Sequence, residues 1–357
     1  MTGPWTVAKF RGPCASGRPL LRGLLAALTM LLLGTAHPHS AQAQSDFYAG
    51  KTVTIVVGFG PGTGYDIYAR LLARHLPRML EGRPAVLTQN MPGAGSFTAA
   101  SHLYNVAPRD GTALGVIDQA SPLSQTLGAP GFRADVTRFN WIGRFTGNAA
   151  VLFARSNAGF TDMRETFAKD MIISANGQNS RIMTGTLKNL LGLRLRILTG
   201  YQSSAESLLA LERGEVEAMT MPWSVLRSEK PRWLSEKYLS LLLQMGTESH
   251  PDLTAVPLVT SLARTAEEEK VLSLVSNDSR VGRSVMAPPG LPTERVAQLR
   301  SAFMNAMRDP VLLEEAQRSG LDLAPMDGAA LQDMIRASIQ VDPAVVARVK
   351  TLTDLNP

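Results

Sequence analysis

Apolar residues in this chain come in short clusters separated by glycine-rich and polar loops, and the clusters alternate between two periods. Val53-Thr-Ile-Val-Val57 is a compact β-branched run, and it ends in the loop Gly58-Phe-Gly-Pro-Gly-Thr-Gly-Tyr-Asp66. Behind the loop, Tyr68, Leu71, Leu72, His75, Leu76 and Met79 recur at helical spacing, with Pro77 marking a kink or early stop. Ala85–Thr88 then reads as a strand, Phe97–Val106 as a helix, and Ala113–Ile117 as a strand leading to the polar loop Asp118–Ser121. Val151–Ala154, Met171–Ser174, Leu195–Leu198 and Val216–Thr220 repeat the strand signal, the last in a second sheet. Helices are expected over 161–167, from Ser180 to about Leu191, and over Ser204–Arg213. Residues 262–281 read as helix then strand, and Met286–Pro292 as a linker. Thr293 is placed as the cap of a helix to about Arg308, with further helices over 310–319 and 328–340.

Strands alternating with helices argue for βαβ units, and hence for an α/β fold of two lobes, each a mostly parallel sheet flanked by helices. The expected lobes are 44–145 plus 282–357, and 146–281. Ligands of open α/β sheets sit beyond the carboxyl ends of the strands. That rule gathers loops 58–66, 90–96, 118–121, 175–180 and 220–223 around one interlobe cleft.

The glycine loop aims several backbone N–H groups at one spot beside a helix N-terminus, which suits a carboxylate or phosphate; a tight turn with no ligand satisfies the same spacing. Nucleotide loops do not fit. Gly58-x-Gly60 is followed by Thr63 where a dinucleotide fingerprint needs its third glycine, and no lysine follows to make a P-loop.

Charge changes the picture once the N-terminus is set apart. Lys9, Arg11, Arg18 and Arg22 precede the 14-residue apolar run Gly23–Ala36 and an Ala41-Gln-Ala43 site, which together describe a secretory signal peptide over 1–43, cut after Ala43. The run is short of the roughly 20 residues that span a bilayer. Of the 36 basic and 30 acidic residues, the mature chain keeps 32 and 30, so no basic surface argues for nucleic acid. The single cysteine, Cys14, leaves with the leader, and with it thiol catalysis and thiolate metal sites. The five histidines form no ligand pattern and no G-x-S-x-G occurs, so no metal, cofactor or catalytic residue is expected. An exported protein of this kind fits a bacterial periplasm. Asp118, Gln119 and Ser121 read as a solvated loop unless the first lobe closes over them, and Asp66 as either a ligand contact or a helix-terminal aspartate.

The ordered motifs resemble those of the periplasmic substrate-binding receptors of tripartite tricarboxylate transporters, the Bug family. They begin with Tyr48-Ala-Gly-Lys-Thr-Val-Thr-Ile-Val-Val-Gly58 and Asp66-Ile-Tyr-Ala-Arg70, and continue through Gln89-Asn-Met-Pro-Gly-Ala-Gly-Ser96 and Ala107–Thr112. Ser174-Ala-Asn-Gly-Gln-Asn-Ser180, Gly200-Tyr201, Arg213–Glu217, Ala287–Pro292, Asp309-Pro310 and Ser319-Gly320 complete the series. The resemblance implies a hinged two-lobed receptor that takes a small carboxylate and delivers it to a large and a small permease subunit, working as a monomer. It carries ligand contacts over to Gly60, Pro61, Gly62, Thr63, Gly64 and Asp66, and to Asn176, Gly177, Asn179, Ser180 and Tyr201. Position on the cleft adds Ser96 and Gln119. Many relatives have an acidic residue where this chain has Met221; its loss makes an amino-acid ligand less expected, and leaves Trp223 as an apolar or aromatic wall. The rival readings are a secreted enzyme acting on carboxylates in the same cleft, and a ligand-presenting partner of a membrane sensor kinase.

Overall fold

A computed structural model describes residues 47–353, apart from 176 and 202. The expected signal peptide over 1–43 and the expected ligand residue Asn176 lie outside the described residues. The strands are β1 (Thr52–Val57), β2 (Ala85–Asn90), β3 (Ala113–Val116), β4 (Asn140–Thr146), β5 (Ala150–Arg155), β6 (Met171–Ser174), β7 (Leu195–Leu198), β8 (Ala218–Pro222), β9 (Leu239–Met245), β10 (Arg283–Ala287) and β11 (Met326–Asp327). They form two sheets, with orders β11-β4-β10-β3-β1-β2 and β7-β6-β8-β5-β9.

Both sheets are mixed. The expected parallel pairing holds for β2-β1-β3 and for β7-β6-β8. The remaining partners run antiparallel: β10 against β3 and β4, β11 against β4, and β5 against β8 and β9. The reason is the route of the chain. It leaves the first sheet on β4, enters the second on β5 after three residues, and returns on β10, so strands that cross between sheets cannot all follow the βα direction. Residues 262–281, expected as helix then strand, hold the helices Ala266–Ser276 and Asp278–Val281; the strand comes after them as Arg283–Ala287, takes in Met286 and Ala287 of the expected linker, and is buried along its whole length.

Alternation explains why the central strands look uniformly apolar. Val151 and Phe153 of β5 enter a cluster with Leu208, Leu211 and Met219, while Leu152 and Ala154 point to the other face and pack with Met183, Leu187 and Val271. A strand covered on both faces needs apolar residues at every position. Each large side chain buried this way contributes roughly 2–3 kcal/mol. Trp141, Leu103 and Val56 anchor the core of the first sheet.

Helix Gly64–His75 buries Tyr68, Leu71, Leu72 and His75, and it stops where Pro77 opens a single 3-10 turn. Helix Gly177–Leu191 begins inside the expected polar loop, so Asn179 and Ser180 sit in its first turn. The helix expected over 161–167 is confined to Glu165–Ala168. Pro292, not Thr293, occupies the cap position of helix Thr293–Ala306, and Thr293 is its first residue. The last helix, Pro343–Thr353, places Val345, Val349 and Leu352 in the cluster of the second sheet, although 282–357 was expected in the first lobe. No helix among the described residues is long and apolar enough to cross a membrane.

The two crossing segments lie back to back. Asn148 N–H donates to the Ser279 carbonyl at 2.8 Å. Gly282 has φ +53°, and a Cβ there would lie 2.1 Å from the Thr146 carbonyl oxygen, so only glycine fits the contact.

Candidate functional site

The glycine loop is braced from within. Asp66 is buried at the third position of its helix and accepts from Gly62 N–H at 2.9 Å, Arg70 Nε at 2.8 Å and Asn90 Nδ2 at 2.8 Å. Burial alone would raise its pKa; the Arg70, Gly62 and Asn90 bonds outweigh that and hold it below the usual carboxylate range. Asn90 Nδ2 also donates to the Phe59 carbonyl, and Thr63 Oγ1 to that of Gly60. Asp66 is thus engaged by its own loop, by Arg70 and by Asn90. Pro61 and Gly62 are exposed, Gly60, Thr63 and Gly64 half-buried.

Behind that loop a chain of contacts sets the position of Gln119. Gly58 leaves room for Ser96, whose Oγ would lie 1.8 Å from a Cβ on residue 58. Ser96, itself at φ +77°, accepts from Asp118 N–H at 3.2 Å. The Tyr65 hydroxyl donates to Asp118 Oδ1 at 3.0 Å and accepts from Gln119 N–H at 3.1 Å. Its ring stacks on Phe59 with centroids 4.2 Å apart and carries the Arg283 guanidinium 3.7 Å from its centroid. The 118–121 loop is consequently not solvated: Gln119 and Ser121 are buried, and Asp118 has its pKa raised by desolvation. The hydroxyls of Tyr65 and Ser96 replace the water that sequence polarity suggested.

Gln119 faces a cavity of about 170 Å³ between the two sheets. The crossing segments give it Asn148, Ala150 and Asp278; the second sheet and its helices give Asn179, Ser180, Met183, Ser204, Thr220, Met221, Pro222 and Met245. Among the described residues no lysine or arginine lines it. Side-chain amides connect the lobes across one end. Asn148 Nδ2 donates to Gln119 Oε1 at 2.6 Å, and Gln119 Nε2 donates to Asp278 Oδ2 at 3.2 Å. Asn179 Nδ2 donates to the same oxygen at 2.6 Å. Ser180 Oγ and Thr220 Oγ1 are 3.0 Å apart on the opposite wall. Asp278 is 7% exposed, and burial pushes its carboxyl up to about 6 in spite of the Gln119 and Asn179 bonds that favour the anion.

Of the residues expected at the ligand, Gln119, Asn179 and Ser180 meet at this cavity. Gly60–Gly64, Asp66 and Ser96 are not among the residues that line it; Ser96 holds the loop that carries Gln119, and Asp66 braces the glycine loop. Tyr201 packs beside the cluster of Leu198 and Leu211. Gly177 opens the helix that carries Asn179. Trp223 does not wall the cavity: it is buried with Val151 and Met219, and its indole N–H donates to Asp252 at 3.2 Å. Met221 does line it, as its alignment with a ligand-side position suggested. Thr220 falls in the 220–223 loop expected at the cleft, although not named as a ligand residue; Asn148 and above all Asp278 were not expected. The run Ser276-Asn-Asp-Ser279, polar between an apolar helix and an apolar strand, was the available signal for Asp278.

Two mixed sheets joined by paired crossing strands, with a polar cavity between them, define a two-lobed solute-binding fold. Solved structures share it. A TctC solute binding protein from Polaromonas matches with TM-score 0.62 at 17% identity, over 85% of this chain and 98% of its own. An R. palustris protein solved with adipate gives 0.62 at 18%, over 85% and 97%. MatC of Rhodopseudomonas palustris, solved with bound malate, gives 0.60 at 20%, over 85% and 99%. In sequence, a UPF0065 protein in the gbd 5' region of Cupriavidus necator is 23% identical over 92% of this chain and 96% of its own length. A UPF0065 protein of Bordetella pertussis is 24% identical over 79% and 84%. The model of the tripartite tricarboxylate transporter family receptor matches residues 68–350, and the chain belongs to that family.

Proposed function

We propose that this receptor is exported, with residues 1–43 removed, and acts as a monomer in the periplasm. There it captures a small organic carboxylate in the cavity between its sheets and hands it, unchanged, to a large and a small permease subunit. The observation that carries the reading is the composition of the cavity wall, with Gln119 from one lobe and Asn179, Ser180 and Thr220 from the other. A ligand held by both sets gains its full contacts only when the lobes are together, so binding shifts the population toward closure. The ligand carboxylate would be held by neutral donors: the hydroxyls of Ser180 and Thr220, and the N–H groups at the start of helix Gly177–Leu191, which carry the positive end of its dipole. Malate and adipate in the two R. palustris structures are small acids of this kind.

Thermal unfolding with a panel of mono-, di- and tricarboxylates tests this. At a hundredfold excess over Kd a ligand stabilises by about 2.7 kcal/mol, or roughly 5 °C for a chain of this size. One chemical class is expected to give that shift and to be recovered intact from the denatured complex. A melting temperature indifferent to every acid, or recovery of a cleaved product, contradicts the reading.

A further inference from the structure

The acceptor-rich end of the cavity carries an inference about what the ligand must bring there. Asp278 is a carboxylate with no ion-pair partner among the described residues, and it is turned to a cavity whose wall contains no cation. Its two side-chain partners, the Gln119 and Asn179 amides, both bond Oδ2. Beside it the Asn179 Oδ1 atom is buried and has no hydrogen-bond partner among the described residues. The amide cannot be turned to relieve this, because its nitrogen is the donor to Asp278, and a flipped oxygen would face the carboxylate. An unpaired buried acceptor costs about 1–3 kcal/mol, so Asn179 Oδ1, next to a buried carboxylate with no cation beside it among the described residues, points to a donor that completes the pair. Asp278 enters from the second crossing segment, whereas Met221 lies at the end of β8. The absence of an acid at Met221 therefore does not leave the cavity without one.

We propose that Asp278 and Asn179 Oδ1 form a donor-recognition subsite, which selects a carboxylate whose other end is an ammonium or hydroxyl group and rejects one ending in a second carboxylate. The proposal rests on the carboxylate reading above and narrows it. A second carboxylate at this end would meet Asp278 in a low-dielectric setting and could enter only if a proton were taken up. An ammonium would meet the aspartate as a charge-assisted partner and Asn179 Oδ1 as a second acceptor. Raised to about 6 by burial, the carboxyl of Asp278 titrates in an accessible range. Asp118 pushes it further up, and the Gln119 and Asn179 bonds and Ser279 N–H pull it down. The two ligand types therefore give pH slopes of opposite sign. A donor ligand needs the ionised form, whose fraction rises about tenfold between pH 5 and pH 7 for a pKa near 6. A dicarboxylate needs the neutral form and should weaken about tenfold over the same range.

The test is calorimetric titration of the purified protein at pH 5 and pH 7 with four-carbon acids of matched length: 4-aminobutyrate, 4-hydroxybutyrate, butyrate and succinate. The expected result is that one or both donor acids bind at least tenfold more tightly than succinate at pH 7, and more tightly at pH 7 than at pH 5. In Asp278→Asn the advantage over succinate and the pH slope should both disappear. Succinate binding better than the donor acids, or a donor acid that strengthens toward pH 5, overturns the subsite while leaving carboxylate capture intact. No binding by any of the four, in a protein that other carboxylates stabilise, also overturns it. If no carboxylate of any kind binds, the broader reading falls with it. The slope measured on the unmutated protein decides the matter even if the variant does not fold.

Discussion

Replacing Asp278 by asparagine should make the ligand-free protein more stable at neutral pH, and the size of the gain follows from its surroundings. The carboxyl sits at about 6 in the folded chain against an ordinary 3.8. Below pH 3.8 it is protonated in both states and costs nothing. Between 3.8 and about 6 the unfolded chain releases the proton while the folded chain keeps it, so stability falls as pH rises. Above 6 the whole cost is present, roughly 3 kcal/mol, since each tenfold change in proton affinity is worth about 1.4 kcal/mol. An asparagine of the same shape still accepts from Gln119 and Asn179 through the oxygen in the Oδ2 position, and it carries no charge to bury. Asp278→Asn should therefore gain about 2–3 kcal/mol at pH 7.5 and almost nothing at pH 4, measured by urea unfolding of both proteins at each pH. Carboxylates held below their usual range, such as Asp66 and Glu315, lose their contribution as pH falls, but they do so equally in both proteins and cancel. A gain independent of pH, or a variant less stable at pH 7.5, would refute the reasoning. A charge retained at such a cost is the pattern expected of a site residue.

Two further outcomes follow from the frame around the cavity. Gly58→Ala should destabilise the chain by about 1–3 kcal/mol, because the new methyl takes the place of Ser96 Oγ and frees the 118–121 loop. The double variant with Ser96→Gly should regain part of that loss, and an unchanged urea midpoint in the single variant would show that the contact yields. Arg227, on the second-sheet side, pairs with Asp252 at 2.7 Å and reaches across to Asp322, whose backbone carbonyl receives the Tyr68 hydroxyl of the first lobe. Arg227→Ala should enlarge the ligand-free radius of gyration in small-angle scattering and weaken ligand binding by no more than about fivefold, since the pair is partly exposed. An identical scattering curve would remove Arg227 as a tie between the lobes.

The parallel halves of both sheets were legible because their strands are short β-branched runs followed by helices, as in Val53–Val57 and Met171–Ser174. Strands β4 and β9 were not. In β4 the alternation is interrupted by Gly143 and Arg144, whose reasons lie far along the chain: Gly143 makes room for Phe303, and Arg144 donates to the Arg280 carbonyl. In β9, Leu239-Ser-Leu-Leu-Leu-Gln-Met245 carries no period that separates strand from helix. The site followed the same division. Gln119, Asn179 and Ser180, which line the cavity, lie in the strand-end loops where α/β sheets place their clefts, and so could be picked out from sequence. Asp278 was not, since it lies 159 residues from Gln119 and 99 from Asn179, and only the crossing of the chain between sheets brings the three together. Trp223, expected as a wall of the cleft, packs in a core cluster, because an aromatic near a strand end serves a core as readily as a cleft.

The central claim is that a small carboxylate lies between Gln119 on one side and Asn179, Ser180 and Thr220 on the other. A crystal structure of the protein with the acid that raises its melting temperature most tests this directly. Density for the intact acid is expected in the cavity, within hydrogen-bond distance of residues from both lobes. Density elsewhere, with this cavity holding only solvent, would contradict it.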